Sequence, residues 1–189
     1  MLLTALVPEF FYLMGGRPQC DFQKYDELVD FWVRSLADQP TYNVVVALHP
    51  SVKVDTMRYI ERSNVRIASR KTAHLVPLCD LYVASISSTI RWAIACGKPV
   101  LNYDVYRYRY TDFLQVSGVI ATEEQDEFRA LIKRFAEEKD FLAQIAACQR
   151  TESARWGRLD GKSSERIVEL LAARSHSSLA RVLGSSSAV

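Results

Sequence analysis

Residues 79–104 read CDLYVASISSTIRWAIACGKPVLNYD, and this stretch decides the fold. It predicts a buried strand, a hydroxyl-rich turn, a helix and a second buried strand, in that order. The turn Ser87-Ser88-Thr89 comes where the predicted helix begins, so free backbone N–H groups and the positive end of the helix dipole face outward there. Such a turn suits a phosphate or a pyrophosphate. Serine and threonine also cap helices routinely, and this stretch alone favours neither interpretation.

The same alternation of strand and helix extends along the rest of the chain. Strands are predicted at residues 2–7, 43–48, 65–68, 81–84, 99–103 and 118–121, and helices from residue 21 onward and at 54–62, 72–78, 123–138, 141–150 and 164–174. Strands separated by helices pair in parallel through right-handed crossovers. The apolar runs VVVAL and PVLNY fit a sheet that is covered on both faces. The sequence therefore predicts an α/β fold with a doubly wound, Rossmann-like, mostly parallel sheet of about six strands, forming one domain over residues 1–183 with a flexible tail at 184–189.

Composition narrows the classes of function. The net charge is +2 and the basic residues are scattered, which argues against a nucleic-acid partner. Four widely spaced cysteines without a CxxC pair (Cys20, Cys79, Cys96 and Cys148) predict reduced, mostly buried thiols and no metal site. The apolar opening lacks a basic start and is too short to span a bilayer, so we expect a cytoplasmic protein without a transmembrane segment.

Candidate ligand residues follow the predicted strands, where a sheet of this kind binds its ligands. They are Gly15 and Gly16, His49, Ser69 to Lys71, Ser85 to Thr89, and Asn102 to Asp104. The absence of a GxGxxG motif argues against a usual dinucleotide site. Each candidate has a structural alternative: His49-Pro50 can simply end a strand, Arg70-Lys71 can be a solvated charge pair, and residues 103–110 (YDVYRYRY) read better as a packed surface loop than as a base-stacking platform.

Three motifs together carry a resemblance to a known family. ALHP (47–50), residues 79–104 and WGRLDGKSSERIVEL (156–170) resemble the carboxyl-terminal half of GT-B glycosyltransferases. The pattern is most similar to CDP-glycerol glycerophosphotransferases and capsular polysaccharide transferases, and UDP-N-acetylglucosamine 2-epimerases share the half-fold. The resemblance implies a nucleotide-linked donor, such as a UDP-sugar or CDP-glycerol, as substrate, with no separate cofactor and no metal. It also implies a function in cell-envelope polysaccharide synthesis. Enzymes of that synthesis include ones that act at the inner face of the membrane, so the resemblance allows this location for the protein.

The resemblance further implies roles for individual residues. The donor phosphates would bind at His49, Ser87, Ser88 and Thr89, with Arg91 adding charge; the base and ribose would lie along Ala68, Ser69, Arg70 and Lys71; and Asn102, Tyr103 and Asp104 would flank the transferred group. Fixed hydrogen-bond donors at such places stabilise the charge of a leaving nucleoside diphosphate.

Two departures from the family pattern keep a second function open. The glutamate that holds the ribose would fall at or near Trp92, and the amino-terminal domain that supplies the acceptor site and general base has no counterpart here. Asp21 and Glu9 fall near the ligand edge without an identifiable partner, so no catalytic residue is assigned. We therefore expect the chain either to be the donor-binding half of a transferase, inactive without the amino-terminal domain in the same or another chain, or to be a non-catalytic Rossmann-like module with a degenerate nucleotide site. Uncovered apolar residues also make self-association an expectation.

Overall fold

The computed structural model describes residues 1–7, 9 and 19–184, with side chains described through residue 174. Gly15 and Gly16 lie outside the described residues, as do residues 185–189 of the expected tail. Residues 1–156 and 157–189 form two compact units, which are described separately. The expected single domain over residues 1–183 stays a prediction.

Six parallel strands form the sheet of the first unit. They are β1 (Leu2–Ala5), β2 (Val44–Ala47), β3 (Val65–Ile67), β4 (Leu81–Ala84), β5 (Val100–Tyr103) and β6 (Val119–Thr122). Their order across the sheet is β3-β2-β1-β4-β5-β6, and every neighbouring pair is parallel. The predicted fold class is confirmed.

The strands are joined by helices of unequal length. In chain order these are α1 (Tyr25–Ala37), α2 (Val54–Met57), α3 (Thr72–Leu75), α4 (Ile90–Ala95), α5 (Gln125–Glu137) and α6 (Lys139–Trp156), while α7 (Ser163–Gly184) belongs to the second unit. The first helix begins later than predicted because the Glu27 carboxylate accepts hydrogen bonds from the N–H groups of Gln23 and Lys24, at 3.1 and 3.3 Å. Among the described residues, no helix combines the length and the hydrophobicity that crossing a bilayer requires.

Both faces of the sheet are buried in apolar clusters, as a parallel sheet requires. Leu2 belongs to the cluster beneath α1 and α5, and its neighbour Leu3 belongs to the cluster on the other face. Leu81 and Tyr82 divide between the two clusters in the same way. Successive side chains of a strand point to opposite faces, so these short strands must be apolar at almost every position.

The switch point of the sheet lies between β1 and β4. Strands β2 and β3 are added on one side of β1, and the chain then crosses back to add β4, β5 and β6 on the other side. Ala5 pairs with Ala47 on one side and with Ala84 on the other. These three small side chains leave room at the carboxyl edge. The Thr4 hydroxyl donates to the carbonyl of Val83 over 3.0 Å, which ties the two central strands together just below this point.

Candidate functional site

A cavity of about 300 Å³ opens at the switch point. We call it the switch-point cavity. Its lining comes from the ends of β1, β2 and β4 and from the start of α3. The lining residues are Ala5, Leu6, Val7, Ala47, Leu48, His49, Pro50, Thr72, Ser85, Ile86, Ser87, Ser88 and Thr89. Four of the five residues predicted to bind the donor phosphates therefore line one cavity, although they come from strands far apart in sequence. Its volume is at the lower end of the range of small-molecule sites.

The hydroxyl groups of the turn bind one another, and one of them also caps the turn. The Ser87 and Thr89 hydroxyls are 2.6 Å apart, and the Thr89 N–H donates to Ser87 Oγ over 3.3 Å. The Ser87 carbonyl accepts the N–H of Ile90 over 3.0 Å, so Ser87 satisfies backbone N–H groups before α4 as a capping serine does. Thr89, directly before α4, makes no side-chain bond to the helix N–H groups. Tyr82, buried in β4, adds a hydrogen bond between its hydroxyl and that of Thr89.

Ile86 holds this turn in an unusual backbone conformation. Its φ angle is +42°, a region that a β-branched residue rarely adopts. The Ile86 N–H donates to Oδ1 of buried Asn102 over 3.0 Å, which ties the turn to the end of β5. The strained backbone is thus held by a neighbouring strand.

Ser85 lines the switch-point cavity and carries an unsatisfied polar atom inside the protein. Its hydroxyl oxygen is buried and has no hydrogen-bond partner among the described residues. A buried hydroxyl without a partner is costly, typically about 1–3 kcal/mol.

His49 faces the same cavity with a defined tautomer. The backbone N–H of Ser51 donates to Nδ1 of His49 over 3.2 Å, and the Ser51 hydroxyl lies 2.8 Å from the same nitrogen. A backbone N–H can only donate, so Nδ1 accepts and the ring proton is assigned to Nε2. A neutral imidazole in this form is a hydrogen-bond donor at Nε2.

Arg91 lies on the other side of the serine turn from His49. It lines a separate cavity of about 220 Å³ with Ser87 and Ser88. Its guanidinium forms an ion pair with Asp112 at 2.6 Å and stacks over the ring of Trp156, 5.6 Å from its centre. The positive charge expected at the phosphate site is therefore partly neutralised.

The residues predicted to hold the base do not line the switch-point cavity. Ala68 extends β3, since its N–H donates to the carbonyl of Val46 over 2.8 Å. Ser69, Arg70 and Lys71 follow it as exposed residues at the same edge of the sheet. Only Thr72, at the start of α3, reaches the cavity. Their predicted role in base binding stays a prediction.

The three residues at the end of β5 have separate structural roles. Asn102 braces the turn at Ile86, whereas buried Tyr103 stacks on Phe128 at 4.4 Å in the core. The Asp104 carboxylate accepts the N–H groups of residues 108 and 109, at 3.1 and 2.6 Å. Burial raises the pKa of Asp104 above its ordinary value, and these backbone hydrogen bonds partly oppose the rise. None of the three lines the switch-point cavity, and the loop that Asp104 anchors packs partly into the core, with Val105 and Tyr106 buried.

Two further positions are placed by the structure. Asp21 does have a partner, because Arg107 forms an ion pair with it at 2.8 Å. Trp92 is 46% exposed and lines none of the cavities described here.

Within the described part of the chain, no group of three histidine, cysteine or acidic side chains could hold a metal ion. None of the four cysteines forms a disulfide bond, and burial raises the pKa of the Cys79 thiol to about 12.

Two members of the site carried no clear sequence signal. Thr72 is an ordinary hydroxyl residue at the start of a predicted helix, and Tyr82 reads only as a buried strand residue. The one available signal was the hydroxyl of Tyr82 on an otherwise apolar strand, because a buried tyrosine hydroxyl usually has a hydrogen-bond partner.

Comparisons with known proteins find similarity in structure but not in sequence. No family model matches the sequence, and no curated protein matches it. Among solved structures, the chain is similar to the glycotransferase of kitacinnamycin, with 12% identity and a TM-score of 0.56 over 90% of this chain and 42% of that one. It is similar to the wall teichoic acid polymerase TagF, with 14% identity and a TM-score of 0.54 over 94% and 44%. It is also similar to UDP-GlcNAc 2-epimerase from Neisseria meningitidis bound to UDP-GlcNAc, with 17% identity and a TM-score of 0.56 over 90% and 43%.

At these identities the likeness concerns the fold alone. The chain has a GT-B-like half-fold, as the sequence motifs predicted, and spans about two fifths of the length of these solved structures. The specific resemblance to glycerophosphotransferases stays a prediction.

Proposed function

We propose that the switch-point cavity binds the diphosphate of a nucleotide-linked donor. The observation that carries this proposal is that His49 and the Ser87–Thr89 turn line one cavity at the switch point of the sheet. Donors from two chain segments, the ends of β2 and β4, converge there at the switch point, where open α/β sheets bind their ligands. A diphosphate offers acceptor oxygens to each of them.

The chemistry of the proposed site is the stabilisation of a leaving group. When the bond to the transferred group breaks, negative charge builds up on the nucleoside diphosphate. The Nε2–H of His49 and the Ser88 hydroxyl can donate to its oxygens, and such preorganised donors need little rearrangement during the reaction. In this proposal Ala68 to Lys71 lie toward the base.

The chain would then be the donor-binding half of a glycosyl or polyol-phosphate transferase of cell-envelope polysaccharide synthesis. The half-fold and the length relative to similar structures support this assignment. The acceptor site and the general base would come from a second Rossmann-like domain, on the same or another chain. Tyr110 and Leu114, which are 54% and 68% exposed, would lie on the surface that such a domain covers.

Calorimetric titration with UDP, CDP and GDP tests the proposal. We expect one nucleotide to bind with a Kd in the range of about 0.1–1 mM and no turnover of the donor by this chain, because only part of the ligand is enclosed. The double variant His49→Ala/Ser88→Ala should abolish this binding, since it removes two donors to the phosphates. The matched control His74→Ala/Ser63→Ala, which removes the same side-chain types from exposed positions, should leave it unchanged. No heat with any of the three nucleotides at millimolar concentration would refute the proposal.

A non-catalytic binding module is the second candidate. Two observations favour it. Arg91 forms an ion pair with Asp112, which neutralises its charge. The lining of the switch-point cavity contains no carboxylate that could accept hydrogen bonds from the hydroxyl groups of a ribose. A decayed site of this kind would give no nucleotide binding in the same titration, so one experiment separates the two functions.

A further inference from the structure

A second ligand-sized cavity lies at the opposite edge of the sheet. This amino-edge cavity has a volume of about 400 Å³, and all of its lining falls within residues 1–156. Tyr42, Cys79 and Pro99 come just before β2, β4 and β5, and helices α5 and α6 close its other side. The strands separate it from the switch-point cavity by roughly 10 Å, the length of three or four strand residues. The proposed function makes no use of it.

Three basic residues contribute to the lining of this cavity. Lys98, Lys139 and Arg150 line it, and none of them forms an ion pair with another described residue. The lining holds one carboxylate, Asp80, which pairs with the amino group of Met1. The whole chain carries a net charge of only +2, so this is an uneven concentration of cations.

The floor of the amino-edge cavity is apolar and fixed. Tyr42 and Phe135 are buried, and the Tyr42 hydroxyl donates to the Phe135 carbonyl over 2.8 Å. Leu142 and Ala146 of α6 extend the apolar surface. Cys79 adds no negative charge at neutral pH, because burial raises the pKa of its thiol to about 12. An apolar floor beneath three cations matches a ligand with an apolar body and an anionic group.

Two of the cations are held by the turn that ends α4. The N–H of Gly97 donates to Ile94 and that of Lys98 to Ala93, both over 2.9 Å, which is the Schellman arrangement. Gly97 has a φ angle of +67°, and a Cβ atom there would lie 3.0 Å from Cγ of Arg150. The glycine thus lets the stem of Arg150 pack directly against the turn that carries Lys98.

Helix dipoles alone do not account for this arrangement. Lys98 follows the carboxyl end of α4, where cations are favoured, whereas Lys139 is the first residue of α6, where the helix dipole disfavours a cation. Arg150 lies in the interior of α6, away from either end, and still lines the same cavity. Neither the position of Arg150 nor the apolar floor follows from the dipole.

We infer that the amino-edge cavity binds a small organic phosphate. The phosphate lies among Lys98, Lys139 and Arg150, and the apolar part of the ligand lies over Tyr42 and Phe135. A dianion matches three cations better than a single carboxylate does, since each nearby charge adds to the attraction.

Amide NMR with phenyl phosphate as the probe tests this inference, at constant ionic strength. We expect saturable shifts at Gly97, Lys98 and Ala146, and binding about tenfold tighter than that of inorganic phosphate, because the ring buries apolar surface. The variant Lys98→Met/Arg150→Met should weaken binding at least about tenfold while keeping both aliphatic stems. The control Lys133→Met/Arg155→Met removes two exposed charges elsewhere and should change the affinity by less than about twofold.

The outcomes separate this site from the donor site. Shifts confined to residues 85–89, or the same affinity in Lys98→Met/Arg150→Met as in the parent chain, would overturn the inference while leaving the donor site intact. Equal affinity for phenyl phosphate and inorganic phosphate would also overturn it. If the double variant does not fold, the single variant Lys139→Met tests the site, because Lys139 is exposed and its substitution should not disturb folding. A phenyl phosphate affinity reduced by about threefold supports the site, and an unchanged affinity overturns it.

Discussion

Ile86 and Tyr82 together show how single residues shape the candidate donor site. A φ angle of +42° costs a β-branched residue about 1–3 kcal/mol, yet it lets the chain turn sharply from β4 into the serine turn. Tyr82 stands beneath this turn, fully buried, and its hydroxyl bonds to that of Thr89. The hydroxyls of Ser87 and Thr89 are thereby held in place before any ligand arrives. Strain of this kind is typical of ligand sites, where the surrounding structure maintains it.

Tyr82→Phe tests this support directly. It removes one hydroxyl and keeps the ring, so we expect unfolding to become easier by about 1 kcal/mol, which lowers the Tm by roughly 2–4 °C in a chain of this size. Nucleotide affinity should fall as well, because Thr89 loses the bond that orients it. Thermal unfolding and calorimetry measure the two effects.

The matched control for that variant is Tyr110→Phe. Tyr110 is 54% exposed, so losing its hydroxyl should leave the Tm within about 1 °C. If both variants behave alike, Tyr82 does not support the turn.

Some residues of the candidate donor site could be predicted from the sequence and others could not, for a physical reason. His49 and Ser87 to Thr89 follow apolar runs, and the carboxyl ends of parallel strands share one edge, so their proximity followed from the strand pattern. The pairing of Arg91 with Asp112 and the isolation of the Ser85 hydroxyl depend on how distant segments pack. No local pattern encodes such contacts.

At the scale of elements, the packing of α6 against the start of β6 leaves no spare room. Gln149 of α6 is fully buried, and its side-chain nitrogen and oxygen have no hydrogen-bond partner among the described residues. It lies on Gly118, immediately before β6: a Cβ atom on this glycine would be 1.9 Å from Oε1 of Gln149. Only glycine allows the helix to lie this close.

Gly118→Ala should therefore destabilise the fold. We expect a loss of about 1–3 kcal/mol in the free energy of unfolding, measured by urea denaturation, because the added methyl group collides with Gln149. The double variant Gly118→Ala/Gln149→Ala should recover part of this loss relative to the sum of the single variants. Strict additivity of the two changes would contradict the contact.

The elements themselves were predictable where their local pattern was strong. Every predicted strand is present, since near-continuous apolar runs of this length have few alternatives in an α/β chain. Helix ends were less predictable: α6 continues to Trp156 rather than stopping at residue 150, and Trp156 packs against Phe113 with ring centres 5.8 Å apart. Tertiary contacts of this kind extend a helix beyond its local signals.

At the scale of the whole molecule, the two edges of the sheet present different chemistry. The carboxyl edge offers hydroxyl groups and a neutral imidazole in the switch-point cavity, whereas the amino edge offers Lys98, Lys139 and Arg150 above an apolar floor. The GT-B-like half-fold could be predicted from motifs that spread over residues 47–170. The amino-edge cavity could not, because its cations come from two separate segments, the turn after α4 and helix α6.

The most direct measurement of the central claim is an amide NMR map of the chain titrated with UDP, CDP and GDP. If the switch-point cavity binds the diphosphate, the largest shifts from the nucleotide that binds will fall on Leu6, His49 and residues 85–89. The absence of any shift at millimolar nucleotide, or shifts that leave residues 85–89 unchanged, would contradict the account.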